Sequence, residues 1–226
     1  RSLFLSRDRI GEKPLYYCYE GDKFIFASEQ KALLPFLREI EISSDFRNLV
    51  NNPYKSTSKT LFANIYKFPP AHNGIYQNNI LKISRYWGPW DTNISYPSKF
   101  SDQVEYLNYL LKDSCRLRLR SDVPIATALS GGIDSSTIAT FVREIFIEQN
   151  IESLPQSGFN LSFPGSEVDE NLASKKIAKN LGINLETIIV DEDQISQNLE
   201  KVCYLFEDIQ EVNPLPHYCL YKNIKD

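Results

Sequence analysis

Hydrophobic and polar positions change their period near residue 90, and the change divides the chain into two kinds of structure. Before it, apolar residues come in short alternating pieces. Leu3-Phe4-Leu5 is followed by the turn-prone Arg7-Asp8-Arg9-Ile10-Gly11-Glu12-Lys13-Pro14, then by Leu15-Tyr16-Tyr17-Cys18-Tyr19. Glu20-Gly21-Asp22 is a tight turn into Lys23-Phe24-Ile25-Phe26-Ala27, so residues 1–30 read as antiparallel β. Residues 28–38 take a helical period, with Ser28 as cap and Ala32, Leu33 and Leu37 as apolar positions; Pro35 can break that helix. Residues 43–60 are polar, and Lys55-Ser56-Thr57-Ser58-Lys59 reads as a solvated loop. From Thr60 to Trp87 short strand-like pieces return, punctuated by Pro69-Pro70 and Asn73-Gly74.

Tyr86-Trp87 and the irregular stretch from Gly88 to Phe100, with Pro89 and Pro97, mark the boundary. The expected organisation is one domain over 1–87, a linker over 88–100 and a second domain over 101–226. In the second, helices alternate with strands. Val104, Leu107, Leu110, Leu111 and Cys115 share a helical face. A strand from Val123 to Leu129 precedes the loop Ser130-Gly131-Gly132-Ile133-Asp134 and a helix from Ser135 to about Gln149. The apolar stripe of that helix, Ile138, Phe141, Val142 and Ile145, has i, i+3, i+4, i+7 spacing. A second strand, Phe159 to Phe163, leads to a helix over 167–181 capped by Ser166, with Glu167, Asp169 and Glu170 in its first turn and Gly182 past its end. Ile183 to Val190 is a third strand, and Ile195, Leu199, Val202 and Phe206 mark the next helix. This alternation implies a parallel sheet. There is neither an internal repeat nor a low-complexity tract.

The chemistry is concentrated in Ser130-Gly131-Gly132-Ile133-Asp134-Ser135-Ser136, between a strand and an amphipathic helix. Open α/β sheets place ligands beyond the carboxyl ends of their strands. Two glycines let backbone N–H groups turn inward around an anion, and the free amides and positive dipole end of the following helix favour phosphate. Ser130, Ser135 and Ser136 add hydroxyls at the same end. Asp134 would be repelled by bare phosphate, so its presence argues for Mg²⁺ between carboxylate and phosphate oxygens. The loop has no lysine and is not a Walker loop. The expected ligand is the pyrophosphate end of ATP, held as the part that leaves during adenylation. The plainer reading is a Ser-Gly-Gly turn with Ser135 capping a helix.

Composition narrows the setting. The chain has 226 residues, 25 Lys+Arg against 29 Asp+Glu, and a formal net charge of −4. With 42% hydrophobic and 24% charged residues it reads as globular, and mild acidity gives no footprint for general nucleic-acid binding. No apolar run approaches the roughly 20 residues of a membrane-spanning helix. The N-terminus lacks the zones of a signal peptide, so a cytoplasmic location is expected. Cys18, Cys115, Cys203 and Cys219 are scattered without a C-x-x-C pair and read as four buried reduced thiols. Met is absent, Arg1 opens in a strand and Lys225-Asp226 stops within a polar helical pattern, so both ends read as cut from a longer polypeptide.

Ser-Gly-Gly-Ile-Asp-Ser-Ser resembles the pyrophosphate-binding loop of the ATP pyrophosphatase group. Residues Arg7 to Tyr17, then Phe26-Ala27-Ser28-Glu29 with Lys31-Ala32-Leu33, resemble the last part of the glutaminase domain of glutamine-hydrolysing asparagine synthetases. Phe68-Pro69-Pro70-Ala71-His72, Tyr86-Trp87 and Ser121-Asp122-Val123-Pro124 follow in that family's order. Ala71 and Ala126 stand where the family often has glycine, and Asn184-Leu185 where it often has histidine.

The resemblance implies an α/β fold: a parallel-sheet, ATP-pyrophosphatase-type (PP-loop) synthetase domain, preceded by the antiparallel β C-terminal part of an Ntn-type glutaminase domain. It implies an enzyme that hydrolyses glutamine at an N-terminal cysteine, adenylates aspartate with ATP and Mg²⁺, and lets ammonia displace AMP to give asparagine. Its partners are the small molecules aspartate, glutamine and ATP, with a homodimer among the assemblies it admits, and neither nucleic acid nor membrane. Leu129, Ser130, Gly131 and Gly132 would contact nucleotide, Asp134 the metal through phosphate, Ser135 and Ser136 pyrophosphate oxygens. Leu161 falls where an aliphatic residue meets adenine, or is an ordinary core leucine. No catalytic residue is expected within the chain: Arg1 is not the cysteine nucleophile, and the family's second loop and lysine would lie past Asp226.

Other residues carry structural readings. Glu207 and Asp208 follow an apolar helix and read as its solvated end, with a place facing the cleft as the alternative; Arg116, Arg118 and Arg120 read as helix-dipole partners, and Arg7, Asp8 and Lys13 as fixing a turn. His72 and His217 are lone histidines without ligand spacing, expected to be structural. Two functions compete with asparagine synthesis: a relative that amidates another carboxylate or a sugar, and a non-catalytic nucleotide-binding module.

Overall fold

The computed structural model describes residues 1–51, 58–91, 95–149, 156–207 and 214–224. They form two units, Arg1–Ile94 with Cys203–Val212, and Ser95–Val202 with Asn213–Asp226.

The first unit contains β1 (Leu3–Ser6), β2 (Tyr16–Glu20), β3 (Lys23–Ala27), α1 (Phe46–Asn51), β4 (Ile65–Lys67), β5 (His72–Gln77) and β6 (Ile80–Arg85). They build two antiparallel sheets, ordered β1-β5-β6 and β3-β2-β4. Cys18, Leu33 and Ile65 form a buried core against Tyr16, Ile25, Leu34 and Phe62. The Arg7 guanidinium donates to the carbonyls of Gly11, Lys13 and Phe68, while the Asp8 carboxylate accepts the amides of Ile10, Glu12 and Lys13. The 7–13 turn is thereby pinned from both sides, the structural role expected of Arg7 and Asp8. Lys13 takes part through its backbone.

Three local expectations change. Residues 28–38 contain only a 3₁₀ turn over Leu34–Phe36, because Pro35 lies within it and lacks the N–H a longer helix needs. The polar stretch after 43 contains α1, whose start is set by Ser43: its carbonyl accepts the Phe46 amide and its hydroxyl the Asp45 amide. Of the expected 55–59 loop, residues 55–57 lie outside the described residues; Lys59 pairs with Asp45 and bridges to Tyr66. Asn73-Gly74 is no turn: both residues sit in β5, with Gly74 opposite Leu5. A Cβ on Gly74 would lie 2.8 Å from the Phe68 ring, so glycine is there for packing. The turn falls instead at Asn78 and Asn79, with φ of 52° and 63°.

The second unit contains α2 (Phe100–Arg118), β7 (Ala126–Ala128), α3 (Ile133–Glu148), β8 (Ser157–Ser162), α4 (Asn171–Leu181), β9 (Asn184–Ile189), the larger part of α5 (Glu192–Phe206) and α6 (Pro214–Asn223). β7, β8 and β9 are parallel and adjacent in chain order, with Ala128 opposite Phe159 and Leu161 opposite Ile188. Leu129, Ala139, Ala178 and Ile183 form the core where α3 and α4 meet the sheet; α6 also packs on β8 and β9. The fold is therefore mixed α/β, antiparallel in one unit and parallel in the other.

Two apolar stripes differ from expectation. On α3 the buried positions are Ala139, Val142 and Ile145, while Ile138 is 48% exposed. On α2, Val104, Leu107, Leu110 and Leu111 are exposed; the helix lies along α3 and is tied to it by Lys112 with Glu144 and Glu148, and by Arg116 with Glu148. Arg116 and Arg118 do lie in the last turn of α2. The four cysteines are unpaired, but only Cys18 and Cys219 are buried; Cys203 is exposed. Among the described residues no helix is long and apolar enough to cross a membrane.

Candidate functional site

β7 ends at Ala128, Leu129 is buried with its amide on the Phe159 carbonyl, and the chain turns through Ser130, Gly131 and Gly132 into α3. Gly131 has φ +98°, and a Cβ there would lie 2.8 Å from Ala173 Cβ and 3.0 Å from the Ser174 amide nitrogen. Only glycine satisfies both the conformation and the close approach of α4. Gly132, in extended conformation, is the N-cap of α3, so Ser135 is not the cap.

Serine hydroxyls organise the loop internally. Ser135 Oγ accepts the Ser130 amide, Ser130 Oγ accepts the Gly132 amide, and Ser136 Oγ donates to the Gly132 carbonyl at 2.6 Å. The Ser136 amide enters the helix ladder on Gly132 O. Among the described residues, the amides of Gly131, Ile133, Asp134 and Ser135 have no acceptor. Three of them are orphan donors of the first turn of α3, where the helix dipole is positive. Ile133 is 85% exposed and Asp134 is exposed, whereas Gly131, Gly132, Ser135 and Ser136 are half-buried.

A cleft of about 400 Å³ opens beside the loop, lined in part by Leu129, Ser130, Ser135, Phe159, Leu161 and Phe163. Phe159 and Leu161 of β8 are half-buried and line the cleft, and so does the buried Asn160 between them. Asn160 and Asn171 both accept from the Thr187 hydroxyl, which ties β8 and the start of α4 to β9. Gly131, Gly132, Asp134 and Ser136 are on the loop and α3 but do not line the cleft itself. No group of three or more His, Cys, Asp or Glu poised to hold a metal occurs among the described residues. An Mg²⁺ bridged by phosphates needs only one or two protein carboxylates, and the exposed Asp134 side chain beside unpaired amides fits that donor set.

Residues 106–226 match the family model described as Asparagine synthase, and residues 1–87 the one described as Glutamine amidotransferase domain. The chain belongs to the asparagine synthase family. It is 31% identical over 92% of its length to Amidase chry2 of Gibberella zeae, covering 32% of that protein. It is 29% identical over 99% of its length to Asparagine synthetase [glutamine-hydrolyzing] 1 of Bacillus subtilis, covering 34% of it. To Asparagine synthetase [glutamine-hydrolyzing] 3 of Bacillus subtilis it is 36% identical over 64% of its length, covering 24%. The chain thus spans about a third or less of these relatives.

Within this member of the asparagine synthase family, two residues depart from their expected surroundings. His217, expected to be structural, lines the cleft from α6 together with Leu220 and Tyr221. Glu207, expected to be a solvated helix end, has a side chain only 9% exposed; it accepts the Gln30 and Lys31 amides at 2.6 and 2.8 Å and pairs with the Lys31 ammonium. Asp208 lies outside the described residues. His72 keeps a structural role, with Nδ1 2.6 Å from the Pro70 carbonyl oxygen.

Proposed function

We propose that this chain carries the nucleotide-binding part of an ATP-dependent, glutamine-hydrolysing amide ligase that makes asparagine from aspartate. The observation that carries the reading is the set of four unpartnered amides at a strand-to-helix turn, open beside an apolar cleft. A carboxylate is a poor electrophile. Its oxygen attacks the α-phosphorus of ATP, the bond to the β-phosphate oxygen breaks, and pyrophosphate leaves with the electron pair. Ammonia then attacks the acyl carbon and AMP leaves, giving the amide.

In this reading the second unit is a PP-loop synthetase domain and the first the C-terminal part of an Ntn-type glutaminase domain, divided as 1–87, 88–100 and 101–226. The amides of Gly131, Ile133, Asp134 and Ser135 hold the β- and γ-phosphates, with the Ser130, Ser135 and Ser136 hydroxyls beside them. Preorganised donors aimed at the leaving oxygens stabilise the charge that develops there. Leu129 and Leu161 bound the adenine. Asp134 would hold Mg²⁺ jointly with phosphate oxygens, and the ion would offset negative charge on the departing pyrophosphate.

A second reading, amidation of a different acceptor, would use the same loop and cleft; one similar protein carries the name amidase and not asparagine synthetase, so the relatives do not all share one named activity. The deciding experiment incubates the full-length protein containing this chain with glutamine, Mg-ATP and aspartate. Asparagine formed in step with AMP is expected; AMP release only with another carboxylate would support the second reading, and no AMP release with any acceptor would contradict both.

A further inference from the structure

Gly131 rests on α4. A Cβ at this glycine would lie 2.8 Å from Ala173 Cβ and 3.0 Å from the Ser174 amide nitrogen, so the loop follows wherever the first turn of α4 stands. That turn starts without help from its own N-cap residue, since the Glu170 side chain makes no capping bond. The Asp169 carboxylate takes that place. One oxygen accepts the Asn171 amide at 3.2 Å, and the other accepts the hydroxyl of Ser162 at 3.1 Å. Asn171 is the first residue of α4; Ser162, only 2% exposed, is the last of β8. The fully buried Ser174 closes the turn, its hydroxyl donating to the Asn171 carbonyl at 3.0 Å. Val168 and Glu170 line the cleft, but Asp169 between them does not. The carboxylate therefore acts on the helix start and not on a ligand.

We infer that Asp169 is the positioning residue of the phosphate loop. It clamps the first turn of α4 to the end of β8, and the clamped turn is the seat against which Gly131 presents its unpartnered amide. Donors that bind an anion hold their aim only when the groups behind them are themselves fixed. The inference rests on the phosphate reading of the loop and deepens it. It also carries a sign. A carboxylate near bound phosphate repels it, so losing the charge alone tightens binding, whereas losing the clamp loosens it. Asparagine separates the two: its oxygen can accept the Asn171 amide and its NH2 can donate to the Ser162 oxygen, which keeps the clamp without the charge.

Calorimetric titration of the chain with inorganic pyrophosphate in Mg²⁺, together with the ligand-free Gly131 amide resonance, tests the clamp; thermal unfolding checks that each variant is folded. Asp169→Ala is expected to weaken pyrophosphate about ten-fold, the size of one misdirected hydrogen bond to a charged group, and to move the Gly131 resonance. Asp169→Asn returns the resonance to its place and binds at least as tightly as the parent. Ser162→Ala, which cuts one arm, moves Gly131 in the same direction and weakens pyrophosphate less. Adding it to Asp169→Ala causes no further loss, because both residues belong to one clamp. If the folded Asp169→Ala variant binds pyrophosphate like the parent or tighter, the positioning role fails while the loop reading stands. A loss repeated in Asp169→Asn overturns it as well. Where Asp169→Ala does not fold, Ser162→Ala decides: an unmoved Gly131 resonance with unchanged affinity overturns the clamp. If the parent chain binds no pyrophosphate, the loop reading fails and the inference with it.

Discussion

Ser135 Oγ lies 2.9 Å from Ser130 Oγ and accepts the Ser130 amide at 3.2 Å. This hydroxyl clasp spans the strand-to-helix turn and uses side chains to satisfy the part of the loop nearest β7. The amides further on are left without acceptors, and they include those at the positive end of α3. Three of them are the donors that any helix leaves at its first turn, and the Gly131 amide adds a fourth beside them. Here the spare donors are grouped on one short stretch beside the cleft, and of the four residues Ser135 also lines it.

Asp134 separates metal-dependent from metal-independent binding. Asp134→Ala is expected to weaken Mg-ATP by at least about ten-fold, a loss of roughly 1.4 kcal/mol, with little effect on metal-free ATP. Titrations with and without Mg²⁺ measure the difference. Unchanged affinity in Mg²⁺ would show that the carboxylate does not face the phosphates.

Gly131 and Gly132 are adjacent but unequal. A Cβ at Gly131 meets α4 backbone and a left-handed φ, whereas at Gly132 it meets only Ser130 Oγ at 3.3 Å. Gly131→Ala is expected to destabilise by about 1–3 kcal/mol and to abolish pyrophosphate binding. Gly132→Ala should cost well under half as much. Thermal unfolding of the two variants decides; equal losses would contradict the packing argument.

Ala71 is buried and held at φ 58°, a conformation that costs a non-glycine residue about 1–2 kcal/mol. Its carbonyl accepts the Tyr86 amide and its amide donates to Asp8 O, which fixes the conformation. Ala71→Gly relieves the strain but loses a buried methyl worth about 0.8 kcal/mol. The expected net change in chemical denaturation is stabilising and within about 1 kcal/mol. A loss larger than that would mean the φ carries no strain.

The Asp8 turn gives a pH signature. Amide hydrogen bonds, led by Lys13 and Glu12, hold the Asp8 carboxyl below the usual carboxylate range. A depressed folded value stabilises above the unfolded value, near pH 4, and the benefit is lost as pH falls through the folded one. Asp8→Ala should therefore melt below the parent chain at pH 6, with the gap narrowing towards pH 2. A gap that does not change with pH would exclude the charged cap.

The legible parts of this sequence were those whose signal is local. The Gly131-Gly132 loop sits between an apolar segment and a helical stripe, and Gly182 at φ 66° ends α4 as its sequence position implied. Local signals failed where tertiary contacts decide. Glu167, Asp169 and Glu170 looked like first-turn acids, yet a turn at Gly165-Ser166 delays α4 until Asn171. Asp169 instead accepts the Ser162 hydroxyl and the Asn171 amide, tying β8 to the helix start. Asn73-Gly74 carried a turn signal, but the Phe68 ring claims the glycine within a strand. His217 gave no signal, because α6 reaches the cleft only through packing of Leu215, Cys219 and Leu220 on a distant part of the sheet. Glu207 likewise finds its partners, Gln30 and Lys31, far away in sequence.

The central claim is that the amides of Gly131, Ile133, Asp134 and Ser135 bind phosphate, and amide-resolved NMR of the chain during titration with Mg²⁺ and inorganic pyrophosphate tests it most directly. Saturating shifts concentrated on those four N–H groups are the expected result. Shifts confined elsewhere, or none at these amides at saturation, would contradict the account.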